Sequence, residues 1–211
     1  MSTRGYRSPL REAEAAATRA RIVDAAGRLF VRDGYTATSM KAIAAEAGVS
    51  VPTVHLNGPK HALLIAAFER TFAGDEGRHS LTERPALAGI IREPDDRTAM
   101  TRYAAFLAEA NERAAGIIHA LTLAADADEG ARAAYLDLEE RRRRDMLLGA
   151  GFFVQRGLLP PARQQWAADL LGLLTGPDAY LHLVGTCGWP RADYEAWLVD
   201  AFHELIRAGG A

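Results

Sequence analysis

Ile22, Ala26, Leu29 and Phe30 recur at i, i+4, i+7 and i+8, while Arg21, Asp24, Arg28 and Arg32 fall on other faces. One apolar face of helical period predicts a helix from about Glu12 to Asp33, closed by Gly34, which adopts left-handed backbone without a Cβ penalty. Thr38 or Ser39 can cap a second, short helix whose apolar positions are Met40, Ile43, Ala44 and Ala47, and Gly48 ends it. Val49 fills the corner. Ser50 is a natural cap for a third short helix, where Pro52 is tolerated because first-turn N–H groups have no intrahelical partner. From Pro59 a fourth helix carries Leu63, Leu64, Ala67 and Phe68 on one side. Beyond Gly74 the same periodicity predicts helices over about Asp95–Ala127, Glu129–Arg156, Ala162–Thr175, Asp178–Gly185 and Arg191–Ala208. Gly157, Pro160, Pro161, Gly176, Pro177 and Pro190 separate them. The expected fold is all-α: a helix-turn-helix head over residues 1–73 and a larger antiparallel helical body over 74–211.

Composition narrows this picture. With 211 residues, 49% of them hydrophobic, the chain can bury a sizeable core. The opening segment lacks the apolar stretch of a signal peptide, and no run approaches the roughly 18 apolar residues of a membrane span. A cytoplasmic protein with no membrane attachment is expected. The single Cys187 excludes an internal disulfide and a multi-cysteine metal site, and reads as a buried small hydrophobe. No metal or cofactor is expected. The net charge of −2 hides an asymmetry: residues 1–70 carry ten Lys/Arg against six Asp/Glu, the rest fifteen against twenty-one. A basic head on an acidic body suits a protein that offers one end to a polyanion. The run Arg141–Arg144 follows Glu139 and Glu140 and spreads around a helix, so it reads as a solvated face.

The segment IAAEAGVSVPTVH has helix-turn-helix spacing: small Ala44 where two helices cross, Gly48 in the turn, and Val54 facing back into the core. The second helix of such a pair enters the major groove, and helix N-termini grip phosphates. Residues TRARIVDAAGRLFVRDGYTATSMKAIAAEAGVSVPTVHLNGPKHALLIAAF resemble the DNA-binding head of the TetR family of repressors, and PDAYLHLVGTCGWPRADYEAWLVDAFHELI is similar to the closing helices of an actinobacterial-type branch. The resemblance implies a homodimer that reads a near-palindromic DNA operator, with an effector cavity of unknown small-molecule specificity in the body. Carried over by position, Ser50, Val51, Pro52, Thr53 and His55 would face DNA, while Thr38, Ser39, Lys41 and Lys60 would lie against phosphates. Arg19 and Arg21 are further candidates, on an arm before the first helix.

The match departs from the family at TVHLNGPK, which is one residue shorter than usual, has His55 where Tyr is usual, and lacks a Phe that anchors the recognition helix. That anchor corresponds to roughly 1.5–3 kcal/mol of burial. Leu56 is expected to turn inward in its place, and the third helix to be short or mobile, with residues 55 to 59 less ordered than the rest of the head. Pro59 removes a hydroxyl cap from the fourth helix, although Pro suits a first helical position.

In the body, Tyr194, Trp197, Leu198, Ala201, Phe202, Leu205 and Ile206 form an apolar stripe expected to make a dimer seam with Trp166, Leu170, Leu173 and Leu174. Tyr103, Phe106, Leu107, His119, Leu123, Met146, Phe152 and Phe153 are candidates for the sensor cavity, His119 because it interrupts an apolar stretch. Two rival readings remain: a TetR-like ligand or protein binder with weakened DNA binding, and an enzyme using Cys187 and His182. No phosphate-binding glycine loop, paired-His motif or nucleophile elbow supports the second, and no catalytic residue is expected.

Overall fold

Ser39 and Ser50 fix where the short helices of the head begin. The Ala42 N–H donates to Ser39 Oγ at 3.1 Å and the Thr53 N–H to Ser50 Oγ at 3.2 Å. Such caps satisfy donors that a first turn leaves open, and each contributes about 1 kcal/mol. They start α2 (Met40–Ala47) and α3 (Val51–Leu56), which lie between α1 (Pro9–Asp33) and α4 (Lys60–Ala73). Gly34 and Gly48, at φ 82° and 68°, follow α1 and α2 where the sequence places them. The structure, a computed structural model, describes residues 9–74, 76 and 85–210. The expected junction after residue 73 runs into a stretch of which 75 and 77–84 lie outside the described residues.

The body contains α5 (Pro85–Ile91), α6 (Asp96–Ala127), α7 (Glu129–Gln155), α8 (Gln164–Leu174), α9 (Pro177–Tyr180) and α10 (Arg191–Gly209). Asp95 and Asp128 cap α6 and α7, accepting from the N–H groups of Thr98 and Ala131. A single 3₁₀ turn precedes α8, and a π-helical turn, Leu181–Thr186, follows α9. Among the described residues there is no strand, and no helix is long and apolar enough to cross a membrane.

Apolar side chains gather in two clusters. One joins Ile22, Phe30, Ile43, Val54, Leu63 and Leu64 of the head to Ile117, Leu121 and Ala124 of α6 and Ala131 of α7. The head is thereby seated on the body. Each fully buried Val, Leu, Ile or Phe among them contributes roughly 1.5–3 kcal/mol. The two parts approach closely at Gly116, where a Cβ would stand 2.9 Å from Val31 Cγ1. The second cluster holds Met100, Leu107, Phe153, Leu171, Tyr194, Leu198 and Phe202 at the centre of the body.

Three expectations need correction. The arginine run is not wholly solvated: Arg141 pairs with Glu69 of α4 at 2.7 Å, and Arg142 donates to the Gly172 carbonyl of α8, while Arg143 and Arg144 are exposed. Four consecutive helical positions span the whole circumference, so two of them must face neighbouring helices. Cys187 is exposed, its Sγ 3.7 Å from His182 Nε2. Tyr194, Leu198, Phe202 and Leu205, expected in a seam between copies, are buried inside their own chain. Periodicity identifies a buried face without saying which partner buries it.

Candidate nucleic-acid interface and body cavities

In the head, Ala44 is buried at the crossing of α2 with its neighbours and Val54 turns fully into the core. The opposite face of α3 presents Pro52, His55 and Leu56 to solvent, with Val51 and Thr53 half-buried beside them. Ser50 Oγ and Thr53 Oγ1 share a hydrogen bond of 2.7 Å, which fixes both hydroxyls at the helix start. Ser39 and Lys41 are exposed on α2 and its cap. Ser39 and Ser50 each mark a helix N-terminus, where N–H groups favour anions.

Two residues expected at phosphates point elsewhere. Thr38 is buried, and its hydroxyl donates to the Gly34 carbonyl at 2.8 Å. Lys60 donates to the carbonyls of Tyr35 at 2.9 Å and Thr38 at 3.1 Å, with its ammonium 4.1 Å from the Tyr35 ring centre. Burial holds its pKa below the usual lysine value. The carbonyls of the turn between α1 and α2 hold the ammonium within the head, and Lys60 serves that turn.

α3 is short, as expected, but its end is held differently. Leu56 does not turn inward; it is 88% exposed. Instead, Arg19 Nη1 donates to the Asn57 carbonyl at 2.7 Å, its Nε pairs with Glu76 at 2.6 Å, and Asn57 Nδ2 donates to the Thr53 carbonyl at 2.8 Å. A polar clasp closes the helix where an aromatic side chain is missing. Arg19 is thus part of the head's structure, whereas Arg21 is exposed and, among the described residues, donates to Thr18 of its own helix.

Among the described residues, two cavities adjoin one turn of α7, where Asp145, Met146 and Leu148 line both. The first, of about 280 Å³, opens between α4, α6, α7 and α9, with Phe68, Phe72, Tyr135, Leu121, Thr175 and Asp178 in its wall. The second, of about 250 Å³, lies among α5, α6, α7, α8 and α10. Tyr103, Phe152 and Phe153 line the second, and Met146 lines both. Phe106 lines neither of the two, although Leu107 beside it reaches the first. His119 and Leu123 are exposed, because the buried face of α6 runs through Ile117, Ile118, Ala120 and Leu121. Phe68 and Phe72 stack 5.6 Å apart on α4; the sequence reading placed Phe68 on the apolar side of this helix and did not single out Phe72.

On the outer side of the body, Trp166, Leu170, Leu174, Trp197 and Ala201 are half-buried, and Leu173 is 69% exposed. Among the described residues no group of three or more His, Cys, Asp or Glu side chains is arranged to hold a metal ion.

Residues 22–57 match the family of bacterial regulatory proteins of the tetR family. Among solved structures, a protein from Mesorhizobium loti MAFF303099 described as a TetR-family transcriptional regulator superposes with a TM-score of 0.70, over 93% of this chain and 98% of that one, at 20% identity. A transcriptional regulator from Saccharomonospora viridis, in complex with choline, superposes with a TM-score of 0.62, over 88% and 95% of the two chains, at 21% identity. Among curated proteins none is similar in sequence. The matched segment spans α2, α3 and the buried half of α1, which is the helix-turn-helix described above.

Proposed function

For a chain with a TetR-family head on a TetR-like fold, we propose a one-component transcriptional regulator, a repressor, acting in the cytoplasm as a homodimer on a near-palindromic operator. Its parts are a DNA-binding head over residues 1–73 and a ligand-binding and dimerisation body over 74–211. The observation that carries this reading is the outward face of α3, where Ser50, Val51, Pro52, Thr53 and His55 are presented together at a capped N-terminus. Ser39 and Lys41 add phosphate contacts beside it. Recognition helices of this kind read base edges from their first turns.

The effector site in this reading is the first cavity, because Phe68, Glu69 and Phe72 in its wall belong to α4, the helix that joins head to body. A ligand there would press on the Arg141–Glu69 pair, which spans α7 and α4. That a protein of similar fold is in complex with choline supports a small-molecule ligand for this chain. The dimer seam is assigned to the open edge of α8 and α10, with Leu170, Leu173, Trp197 and Ala201. The reading as a binder that has lost DNA affinity is weakened by the clasp of Arg19 on Asn57, which holds α3 despite its shortness.

Selection from a pool of random duplexes at physiological salt tests the proposal. An enriched inverted repeat, with half-sites about one helical turn apart, is expected. A pool that remains without a motif would overturn it.

A further inference from the structure

Among the described residues the most exposed large apolar side chain stands at the end of α3: Leu56, at 88%. A lone exposed Leu ordinarily calls for no partner. Here, however, the backbone that carries it is fixed. The Asn57 N–H donates to the Val54 carbonyl at 2.9 Å and the Gly58 N–H to the His55 carbonyl at 3.1 Å. Asn57 Nδ2 donates to the Thr53 carbonyl at 2.8 Å, and Arg19 Nη1 reaches from α1 to the Asn57 carbonyl at 2.7 Å. Gly58, at φ 122°, then turns the chain towards α4 in backbone that favours glycine. Val54 already fills the inward position, so Leu56 is held outward. Pro52, four residues earlier and therefore on the same helical face, is exposed beside it. The exposed Ser39, Lys41, Ser50 and His55 of the same two helices and their caps are polar or charged.

Resting on the reading of α3 as the recognition helix, we propose that Leu56 determines specificity, selecting a thymine in each half-site by contact with its C5 methyl group in the major groove. The thymine methyl is the apolar group that base pairs present there, and apolar side chains are what meet it. Leu56 has no donor or acceptor, so it discriminates only by removing apolar surface from water. That surface is available in full, because the side chain is almost wholly exposed in the free protein. A cytosine at the same place would present an amino donor, which Leu56 would strip of water without replacing its hydrogen bond. The hydrogen bonds around Asn57 fix the helix end beforehand, so little ordering cost is subtracted from the contact.

The test is a uracil scan of the duplex enriched by selection. Each thymine is replaced in turn, symmetrically in both half-sites, by deoxyuridine, which removes only the methyl group. Full-length wild type, Leu56→Ala and Leu56→Met are titrated against every duplex at fixed salt, with circular dichroism to confirm that each variant is folded. At one symmetrical pair of positions wild-type affinity is expected to fall about fifteenfold, the value of one buried methyl group per half-site. Leu56→Ala should bind the thymine and uracil duplexes equally at that pair, and Leu56→Met, which keeps a long apolar side chain, should restore the difference. The proposal is overturned if no uracil substitution weakens wild-type binding, or if every sensitive position stays as sensitive in Leu56→Ala. Equal loss of affinity for all duplexes in Leu56→Ala would place the side chain against the sugar–phosphate backbone and overturn it as well. The two readings fail distinguishably: a selection without a motif defeats the regulator and this inference together, whereas a motif without a methyl-sensitive thymine defeats this inference alone.

Discussion

Lys60 and Arg19 show how a cation at a given position is used by whatever lies nearest to it. Both were expected at DNA, and both instead satisfy carbonyls within the head. Lys60→Met should lower the melting temperature and leave the salt dependence of DNA binding nearly unchanged. A salt slope reduced by about one charge would instead return Lys60 to a phosphate. Arg19→Met should cost about 1 kcal/mol of stability and speed hydrogen exchange at His55, Leu56 and Asn57 relative to α2. Unchanged exchange there would mean that Asn57 and Val54 hold the helix end alone. Such details were not legible in the sequence, because the choice between solvent, phosphate and carbonyl depends on three-dimensional proximity. The caps were legible: Ser39 and Ser50 act within three residues, so their role follows from local sequence alone.

At the scale of elements, the regular helices were largely foreseen and the irregular ones were not. Stripes such as Ile22, Ala26, Leu29 and Phe30 report a buried face directly. The seven residues of α5 offer too few turns for a period to show, and the π-helical turn after α9 has no sequence period of its own. The stripe on α10 misled in a specific way: Tyr194, Leu198, Phe202 and Leu205 pack on α6, α7 and α8 of the same chain. Interface residues are then those left open beside it. Leu173→Glu should yield a folded monomer at micromolar concentration, whereas Phe202→Glu should unfold the chain, because an unpaired charge would enter the core. Sedimentation together with circular dichroism separates the two. A Leu173→Glu dimer as tight as the wild type would move the seam elsewhere.

Across the whole molecule, buried phenols tie stability to alkaline pH. Burial raises Tyr35, Tyr103 and Tyr194 from 10.0 to about 12. With folded values above unfolded ones, the folded chain retains protons that the unfolded chain releases, so their contribution is intact below pH 10 and is lost as pH rises towards 12. Urea midpoints should fall through that window more steeply than those of a Tyr103→Phe variant, and equal slopes would contradict the burial. The continuity of the core from α1 through Gly116 and Leu121 of α6 seats the DNA-facing surface on the helices that wall the first cavity. The central claim, sequence-specific binding through α3, is tested most directly by titrating wild type and a Thr53→Ala/His55→Ala variant against the selected duplex and a scrambled one at fixed salt. The account predicts that wild type prefers the selected duplex by about 10³-fold or more, and that the variant loses this preference while its binding to the scrambled duplex is little changed. Equal binding of both duplexes by the wild type, or a preference that survives in the variant, would contradict it.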